Sequence, residues 1–351
     1  MNDKLLSRNE CNALRGIAII GIFLHNYCHW LRGIVRENEY QYFQHNVDSL
    51  LGAVGNPDWN LPIHIVSFFG HYGVPVFLFL SAYGLVRKYE SPGRSASEST
   101  DGGAWHFIRV HFLKLFKMMI VGYVAFTMVD VVTPGTHHYH VAYVLAQLGL
   151  VNNLLPNPDD IIWPGPYWFF GLMLQLYVVY RLVLHRRSSL NVVILMVACT
   201  ALQAVFGPES SELNYLRYNF IGGMLPFGMG MLYARYGRDM SRQHYACVLA
   251  VGVLMLVLCS LNYYAWFFAP VAVIASTAAL VKLLPASVNG VLTWMGSISA
   301  ALFVCHPLTR KIFIPLSHRG DIYSGLVLYI LASIALAWLF RELLKRIPNP
   351  R

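Results

Sequence analysis

The sequence predicts an all-helical, polytopic membrane protein with about ten transmembrane helices and one re-entrant or interfacial helix. Of its 351 residues, 56% are hydrophobic and only 12% are charged, whereas soluble domains carry about 25% charged residues. Apolar runs long enough to cross a hydrocarbon core of about 30 Å recur along the chain. They leave no room for a large soluble domain, so we expect one integral membrane domain over residues 1–351.

The first predicted span covers residues 11–30. Its apolar run is long and lacks an A-x-A cleavage site, so we expect it to be retained and not removed as a signal peptide. The other predicted spans cover residues 61–86, 107–132, 166–184, 190–206, 215–233, 245–262, 265–284, 291–314 and 322–340. Residues 141–155 are apolar but too few to cross a membrane comfortably, and they are expected to form the re-entrant or interfacial helix.

Lysine and arginine are distributed unevenly, which indicates the orientation of the chain. Residues 118–180 contain neither, and cytoplasmic loops are the ones enriched in these residues. We therefore expect residues 133–165 outside and both termini in the cytoplasm, although Arg310, Lys311 and Arg319 then fall outside, against the rule. The net charge of +9 is interpreted as a signal of topology. There is no basic tail, and we expect no nucleic-acid partner.

The first span carries polar residues that a plain membrane helix does not need. Arg15 lies near its start, and His25, Asn26 and His29 lie near its end. At about 100° per residue, Asn26 returns to within about 20° of Arg15 and His29 to within about 40°. His25 lies about 80° from that face. Ionisable groups inside a span are costly, so they indicate a functional site in a wet interior; the alternative is an Arg that snorkels and histidines at the interface.

Two further sets of residues are candidates for catalysis or ligand binding. His306 lies near the outer end of the ninth predicted span, where a lone His is either a satisfied core residue or a catalyst. Arg109, Lys114 and Lys117 recur at the start of the third predicted span. They are interpreted either as anchors for lipid phosphates or as a clamp for the phosphates of a cytosolic ligand.

Aromatic and acidic residues cluster in the expected outer region. Trp163, Tyr167 and Trp168 form either an interfacial belt or a stacking platform for a sugar. Asp159 and Asp160 precede them and are either solvated or available to bind sugar hydroxyls.

The sequence gives no reason to expect a bound metal or cofactor. The tract His137, His138 and His140 has no matching carboxylate or Cys spacing. The six cysteines are scattered singly, so we expect buried thiols without a disulfide framework. There is no Walker loop, G-x-S-x-G elbow or dinucleotide fingerprint.

Four segments resemble, in order, the motifs of the acyltransferase 3 family of integral membrane acyltransferases. LRGIAIIGIFLHN (14–26) resembles its first-span signature, in which an Arg is followed about ten residues later by His. GVPVFLFLSAYGL (73–85) resembles its Phe-rich run that leads to Ser-Gly, with Ala in place of the Gly. WFFGLMLQLYVVY (168–180) is similar to its W-x-L…Y segment, and GSISAALFVCH (296–306) to its C-terminal G-x-x-S…H.

The chain departs from these motifs at several positions. Asn26 stands at the usual place of the family's His, so either His25 or His29 takes that role, and we favour His25. Met173 stands in place of a Glu, with Gln175 nearby. Lys residues 114 and 117 replace the two arginines of the family's Arg-x-x-Arg.

The resemblance implies an enzyme of the bacterial inner membrane that moves an acyl group, usually acetyl, from cytosolic acyl-CoA to a hydroxyl. The expected acceptor is a cell-surface carbohydrate or its lipid-linked precursor. Acyl-CoA is then a co-substrate and not a resident cofactor. The catalytic candidates are His25 as base, Arg15 and His306. The donor-binding candidates are Arg109, Lys114 and Lys117. The acceptor-side candidates are Asn26, His29, Trp168, Gln175 and Tyr177.

The alternative is a transporter or flippase of a small molecule or glycolipid. It would use the same polar stripe as a substrate path without chemistry. No internal repeat is evident in the sequence, which disfavours an inverted-repeat transporter.

Overall fold

The computed structural model describes residues 5–90, 103–348 and 350. Within them every regular element is helical. The first eight α-helices are α1 (Arg8–Cys28), α2 (Gln44–Gly55), α3 (Leu61–Phe69), α4 (Gly73–Tyr89), α5 (Gly103–Val132), α6 (Val141–Leu148), α7 (Pro158–Ile161) and α8 (Trp168–Val179). The next eight are α9 (Ser189–Ala204), α10 (Ser211–Tyr218), α11 (Phe220–Tyr236), α12 (Arg242–Ser260), α13 (Tyr263–Trp266), α14 (Ala269–Leu283), α15 (Ala286–Ser317) and α16 (Ile322–Arg346).

Six helical segments of the described chain are long and apolar enough to cross a membrane, so the protein is a multi-pass membrane protein. They are Leu61–Tyr89, Gly103–Val132, Gly165–Leu184, Arg242–Ser260, Ala286–Ser317 and Ile322–Arg346. Two shorter apolar helices, α9 and α14, accompany them. Helix α1 is not among the six because charged and polar residues interrupt its apolar run. The expected total of about ten therefore stays a prediction.

The span predicted over residues 61–86 lies within the apolar helical segment Leu61–Tyr89, which contains a change of helix type. Helix α3 ends at Phe69, a short 3-10 turn covers Gly70–Tyr72, and α4 begins at Gly73. A side chain at Gly70 would come within 2.6 Å of the Cβ of His25. Glycine at this position therefore lets the turn lie directly against the end of α1.

Helices α1 and α15 pack with their backbones close together. A Cβ added at Gly16 would overlap the carbonyl of Leu292, and one added at Gly296 would overlap the carbonyl of Asn12. Helix α16 also packs against α15, and its Tyr329 hydroxyl donates to the Phe23 carbonyl of α1 at 2.6 Å. These contacts place α1 in the interior of the bundle.

Two predicted spans differ from the observed helices. The predicted span over residues 215–233 is divided into α10 and α11 at Asn219, whose backbone is extended. Its side-chain amide donates to the carbonyls of Asn153 and Tyr215, which stabilises the break. The predicted span over residues 265–284 is likewise divided into α13 and α14.

The segment predicted to be re-entrant contains a single short α-helix. Helix α6 has eight residues and so rises about 12 Å, which is less than half of a hydrocarbon core. A 3-10 turn over Asn152–Leu154 follows it. Its length fits a helix that does not cross the membrane, and a re-entrant or interfacial position stays a prediction.

Long connecting segments meet at the end of the bundle where α1 finishes, which we call the His25 end. The Tyr42 amide donates to the Pro208 carbonyl at 2.8 Å, and the Trp266 indole donates to the Asn38 carbonyl at 2.8 Å. The Lys311 ammonium donates to the Gly135 carbonyl at 2.7 Å. Hydrogen bonds thus join segments distant in sequence around the last turn of α1.

Candidate active site

The imidazole of His25 is buried, with 2% of its surface exposed, and is held in one orientation. Its Nδ1 lies 2.7 Å from the carbonyl oxygen of Ser67. Because a carbonyl can only accept, Nδ1 carries the proton, and the neutral ring presents the lone pair of Nε2. Ser67 is itself fixed, since its hydroxyl donates to the Val35 carbonyl at 2.6 Å.

A carboxylate and a second imidazole lie beside this nitrogen. Glu37 Oε1 is 3.8 Å from His25 Nε2 and accepts a hydrogen bond from His29 Nδ1 at 2.9 Å. Burial raises the pKa of the Glu37 carboxyl, but the neighbouring imidazoles of His29 and His25 outweigh burial and hold this pKa well below its usual range. Glu37 is therefore a carboxylate at neutral pH.

These groups line a cavity of about 520 Å³ at the His25 end. Exposed residues such as Arg36 and His45 line one part of the cavity, and the buried His25 lines another. The cavity therefore leads from the protein surface to Nε2 of His25, and its volume is that of a pocket for a small ligand.

One wall of the cavity combines aromatic rings with a carboxylate. The rings of Tyr40 and Tyr218 stack with centroids 4.0 Å apart, and Trp168 meets Tyr218 edge to face. Asp159 accepts hydrogen bonds from the Tyr218 hydroxyl at 2.6 Å and from the Asn214 amide. An apolar face beside fixed hydrogen-bonding groups suits a polyhydroxylated ligand.

The position of this wall depends on buried asparagines. The Asn153 amide donates to the carbonyls of Trp168 and Tyr218, at 2.9 Å and 2.6 Å. It thereby joins the start of α8 to the end of α10. Gly171 permits this arrangement because an added Cβ would overlap the Asn153 side chain.

A buried cation faces the cavity from α15. Arg310 is 5% exposed, donates to the main-chain carbonyl of Asn26 at 3.2 Å and lies over the ring of Trp30. It also lines the cavity beside His25. It is therefore a fixed positive charge available to a group that becomes negative in the site.

A smaller cavity of about 40 Å³ adjoins the first. His71, Tyr40 and Trp168 line both cavities, and Leu78 and Leu172 line only the smaller one. His71 is 4% exposed, and neither of its ring nitrogens has a hydrogen-bond partner in the described chain.

Glu39 also lines both cavities. Burial, together with the charge of Glu37, raises the pKa of the Glu39 carboxyl to about 8. Glu39 is thus a protonated acid at neutral pH and can donate a hydrogen bond into the site.

The residues singled out from the sequence fall into two groups. Asn26, His29 and Trp168 line the cavity together with His25. The other candidates are not among the described residues that line it; they are Arg15, Arg109, Lys114, Lys117, Gln175, Tyr177 and His306.

Arg15 and His25 do not share the cavity. Ten helical residues separate them by about 15 Å along α1, and Arg15 donates to the Asn12 side chain at 2.9 Å. The expectation that both line one chamber is therefore not met by this cavity. His306 lies behind its wall, with no exposed surface and Nδ1 3.1 Å from the Leu302 carbonyl.

The remaining candidates lie elsewhere. Gln175 donates to Asn219 and accepts from the Phe220 amide, so it joins α8 to α11. Tyr177 contacts the His111 ring on α5. Arg109 and Lys114 are exposed on α5, and Lys117 donates to the Ile347 carbonyl at 2.6 Å.

Sequence reasoning missed several contributors to the cavity, among them Tyr40, Tyr218, Glu37, Glu39, His71 and Arg310. Arg310 carried a usable signal, because it stands one helical turn after His306 in an apolar segment, where a charge is costly. Glu37 and Glu39 lie in a mixed polar loop and carried no such signal.

Comparison with known proteins gives one match. A family model described as an acyltransferase domain, Acyl_transf_3, matches residues 8–342, which is nearly the whole chain. No curated protein and no solved structure matches the chain.

Proposed function

We propose a reaction for this protein on the premise that its chain belongs to the acyltransferase 3 family, whose model spans residues 8–342. It is a membrane acyltransferase, and the transferred group is not an aminoacyl group. The reaction we propose moves an acyl group, most simply acetyl, from acyl-CoA to a hydroxyl of a cell-surface carbohydrate or its lipid-linked precursor. The observation that carries this proposal is the oriented, unblocked Nε2 of His25 at the inner limit of a cavity with aromatic walls.

In the proposed step, His25 is the general base. Nε2 takes the proton of the acceptor hydroxyl while the oxygen attacks the carbonyl carbon of the thioester. The tetrahedral intermediate then expels the CoA thiolate, breaking the C–S bond, and the proton on Nε2 passes to that thiolate. Glu37 stabilises the imidazolium that forms meanwhile, because its carboxylate lies 3.8 Å from Nε2.

Arg310 is proposed to stabilise the oxyanion of the intermediate. It is a buried cation on the cavity wall, and a preorganised charge in a site with little water acts strongly on developing charge. The protonated Glu39 is a second donor that lines the same cavity. His306 lies one helical turn from Arg310 on α15, and we assign it a supporting role for that helix face.

The two substrates are proposed to approach from opposite faces. The segment without Lys or Arg, residues 118–180, supplies Asp159, Trp163 and Trp168 to the cavity, which favours an outward-facing acceptor site. The donor would enter from the cytosolic face of a bacterial inner membrane, with Arg15 and the basic residues Arg109, Lys114 and Lys117 binding its phosphates. Its thioester end would pass through the smaller cavity to reach His25. This orientation places both termini in the cytoplasm and uses all ten predicted spans.

The donor assignment is tested with membrane vesicles that contain the protein and receive acetyl-CoA carrying a labelled acetyl group. We expect labelled acetyl to appear in the glycan or glycolipid fraction of the host membrane, with free CoA thiol formed in equal amount. The variant His25→Asn keeps a donor for the Ser67 carbonyl but has no base, so its rate should fall by about 10²–10⁴-fold. The variant His138→Ala, at an exposed loop histidine, is the matched control. An active His25→Asn protein would contradict the proposal.

A further inference from the structure

We infer that His25, His29 and Glu37 form a binding site for a divalent transition-metal ion of the class represented by Zn²⁺. The three ligand atoms are Nε2 of His25, Nδ1 of His29 and a carboxylate oxygen of Glu37. Each of the three residues offers a ligand atom within 4.8 Å of those of the other two. Among the described residues this is the one group of three or more His, Cys, Asp or Glu residues with such spacing.

The spacing is close to that of a zinc site. Zinc binds imidazole nitrogen at about 2.0–2.1 Å and carboxylate oxygen at about 2.0–2.2 Å, so tetrahedral ligand atoms lie roughly 3.3 Å apart. Here Glu37 Oε1 is 2.9 Å from His29 Nδ1 and 3.8 Å from His25 Nε2. Both distances lie within about 0.5 Å of this value, and a bound ion requires the His29 proton on Nε2.

The surroundings of His25 match those of a metal-binding histidine. Such a ligand donates its second N–H to a carbonyl or carboxylate, which fixes the ring and the tautomer. His25 does this through Nδ1 and the Ser67 carbonyl. In addition, Glu37 Oε2 and His29 Nε2 are buried without a hydrogen-bond partner in the described chain, so the cluster is not saturated by protein contacts.

The types of ligand atom and the charges around the cluster indicate which ion it binds. Two imidazole nitrogens and one carboxylate suit zinc and disfavour Mg²⁺ and Ca²⁺, which prefer all-oxygen ligand sets. Glu37 neutralises part of the charge of the ion, whereas Arg310 and Arg36 on the cavity wall oppose it. Since protein supplies three ligands, a fourth position faces the cavity and is open to water or a ligand.

The site has a consequence for activity that rests on the proposed function. A zinc ion on Nε2 of His25 occupies the lone pair that the base needs. Zinc therefore inhibits acyl transfer, and a chelator restores the rate.

Binding itself is tested without substrate, on the full chain purified in detergent and freed of metal. Titration of Zn²⁺ against a fluorescent zinc indicator should show one tight site per chain. His29→Ala and Glu37→Gln should each weaken that site at least tenfold, while Mg²⁺ and Ca²⁺ at millimolar concentration should not compete. The matched control is the double variant His138→Ala/His140→Ala, which removes two exposed loop imidazoles with ring centroids 4.5 Å apart; it should retain the tight site.

X-ray absorption of the zinc-loaded wild-type protein gives a second result that depends on no variant. We expect two imidazoles and one carboxylate oxygen around the ion. Absence of tight binding, or loss of binding in the loop double variant with retention in His29→Ala, would overturn the inference. A protein that binds zinc at this site but transfers no acyl group would leave the metal site standing and contradict only the proposed function.

Discussion

His25 can act as a base because its neighbours use one ring nitrogen and leave the other free. The Ser67 carbonyl takes the Nδ1 proton, and the turn at Gly70 packs against the Cβ of His25. These contacts restrict the ring to one orientation, which a catalytic base needs before substrate arrives. The neighbouring residue, Asn26, instead positions Arg310, because its main-chain and side-chain carbonyl groups accept hydrogen bonds from that guanidinium.

Arg310 permits a test at the level of a single side chain. Arg310→Lys keeps a positive charge but loses the planar guanidinium that reaches Asn26 and lies over Trp30. We expect the rate of acyl transfer at saturating acyl-CoA to fall about 100-fold. The control is Arg319→Lys, at an exposed position just beyond the same helix, which should keep the wild-type rate. Equal rates for the two variants would remove Arg310 from the mechanism.

The sequence predicted the part of the site that one helix carries. His25, Asn26 and His29 are close in sequence, so helical periodicity alone groups them. Glu37 and Arg310 could not be predicted as their partners, because loop geometry and the packing of α15 against α1 bring them there. Arg15 shares the helix with His25 but lies about 15 Å away along its axis. Helical periodicity predicts which residues share a face of a helix, but it does not predict which of them line the same cavity.

At the scale of elements, the close packing of α1 and α15 fixes the distance between His25 and Arg310. Gly296 makes this packing possible, since an added Cβ would overlap the Asn12 carbonyl. Gly296→Ala should therefore lower the free energy of unfolding by about 1–3 kcal/mol and reduce activity. The measurement is denaturant unfolding in detergent micelles.

Gly290 is the matched control for this prediction. It lies on the same helix, and an added Cβ would meet no atom within 4 Å. Gly290→Ala should leave stability unchanged or raise it by up to about 1 kcal/mol, because Ala has the higher helix propensity. Similar losses in the two variants would show that backbone proximity does not limit the stability of this pair.

A buried ion pair joins α5 to α15 at the His25 end. Lys311 lies 2.8 Å from the carboxylate of Asp130, whose side chain has no exposed surface. Asp130 also accepts from the His137 amide and the Tyr139 hydroxyl. The pair thus holds the segment after α5 against the bundle.

Lys311→Met leaves the Asp130 charge buried and unpaired. We expect a loss of roughly 3 kcal/mol in the free energy of unfolding and faster amide exchange over residues 133–140. The double variant Asp130→Asn/Lys311→Met removes both charges and should recover part of that loss. The single variant Asp130→Asn completes the comparison. If the double variant loses as much free energy of unfolding as the two single variants together, the two side chains do not interact.

The sequence predicted long apolar helices well, because length and composition decide them. It predicted continuous spans over residues 215–233 and 265–284, where the structure has breaks. These breaks are stabilised by contacts between distant segments, such as the Asn219 amide on the Asn153 carbonyl. A hydropathy pattern does not contain such contacts.

At the scale of the whole molecule, contacts within the protein account for two of the three basic residues that conflicted with charge counting. Arg310 and Lys311 lie on the side expected to be poor in basic residues, but both are bound by protein groups, the Asn26 carbonyl and the Asp130 carboxylate. The positive-inside rule applies to loop charges. These two residues therefore do not count against an outward-facing His25 end, whereas the exposed Arg319 still does.

The orientation is tested by cysteine labelling in intact cells. A membrane-impermeant maleimide should label His138→Cys from outside, because residues 133–165 are expected to be external. Arg238→Cys, in the segment between α11 and α12, should react only after the membrane is made permeable. The parent protein without an added cysteine receives the same maleimide treatment and reports any reaction at its exposed Cys247. The reverse pattern would invert the topology and place the cavity in the cytosol.

Mass spectrometry of surface glycans tests the central claim most directly. Cells that produce the wild-type protein, the His25→Asn variant or no protein are compared. We predict that wild-type cells alone carry glycans heavier by one acyl group, while the unmodified glycan remains in the other two. If the His25→Asn cells retain the acyl increment, or if removal of the protein eliminates the whole glycan and not the increment, acyl transfer by His25 is contradicted.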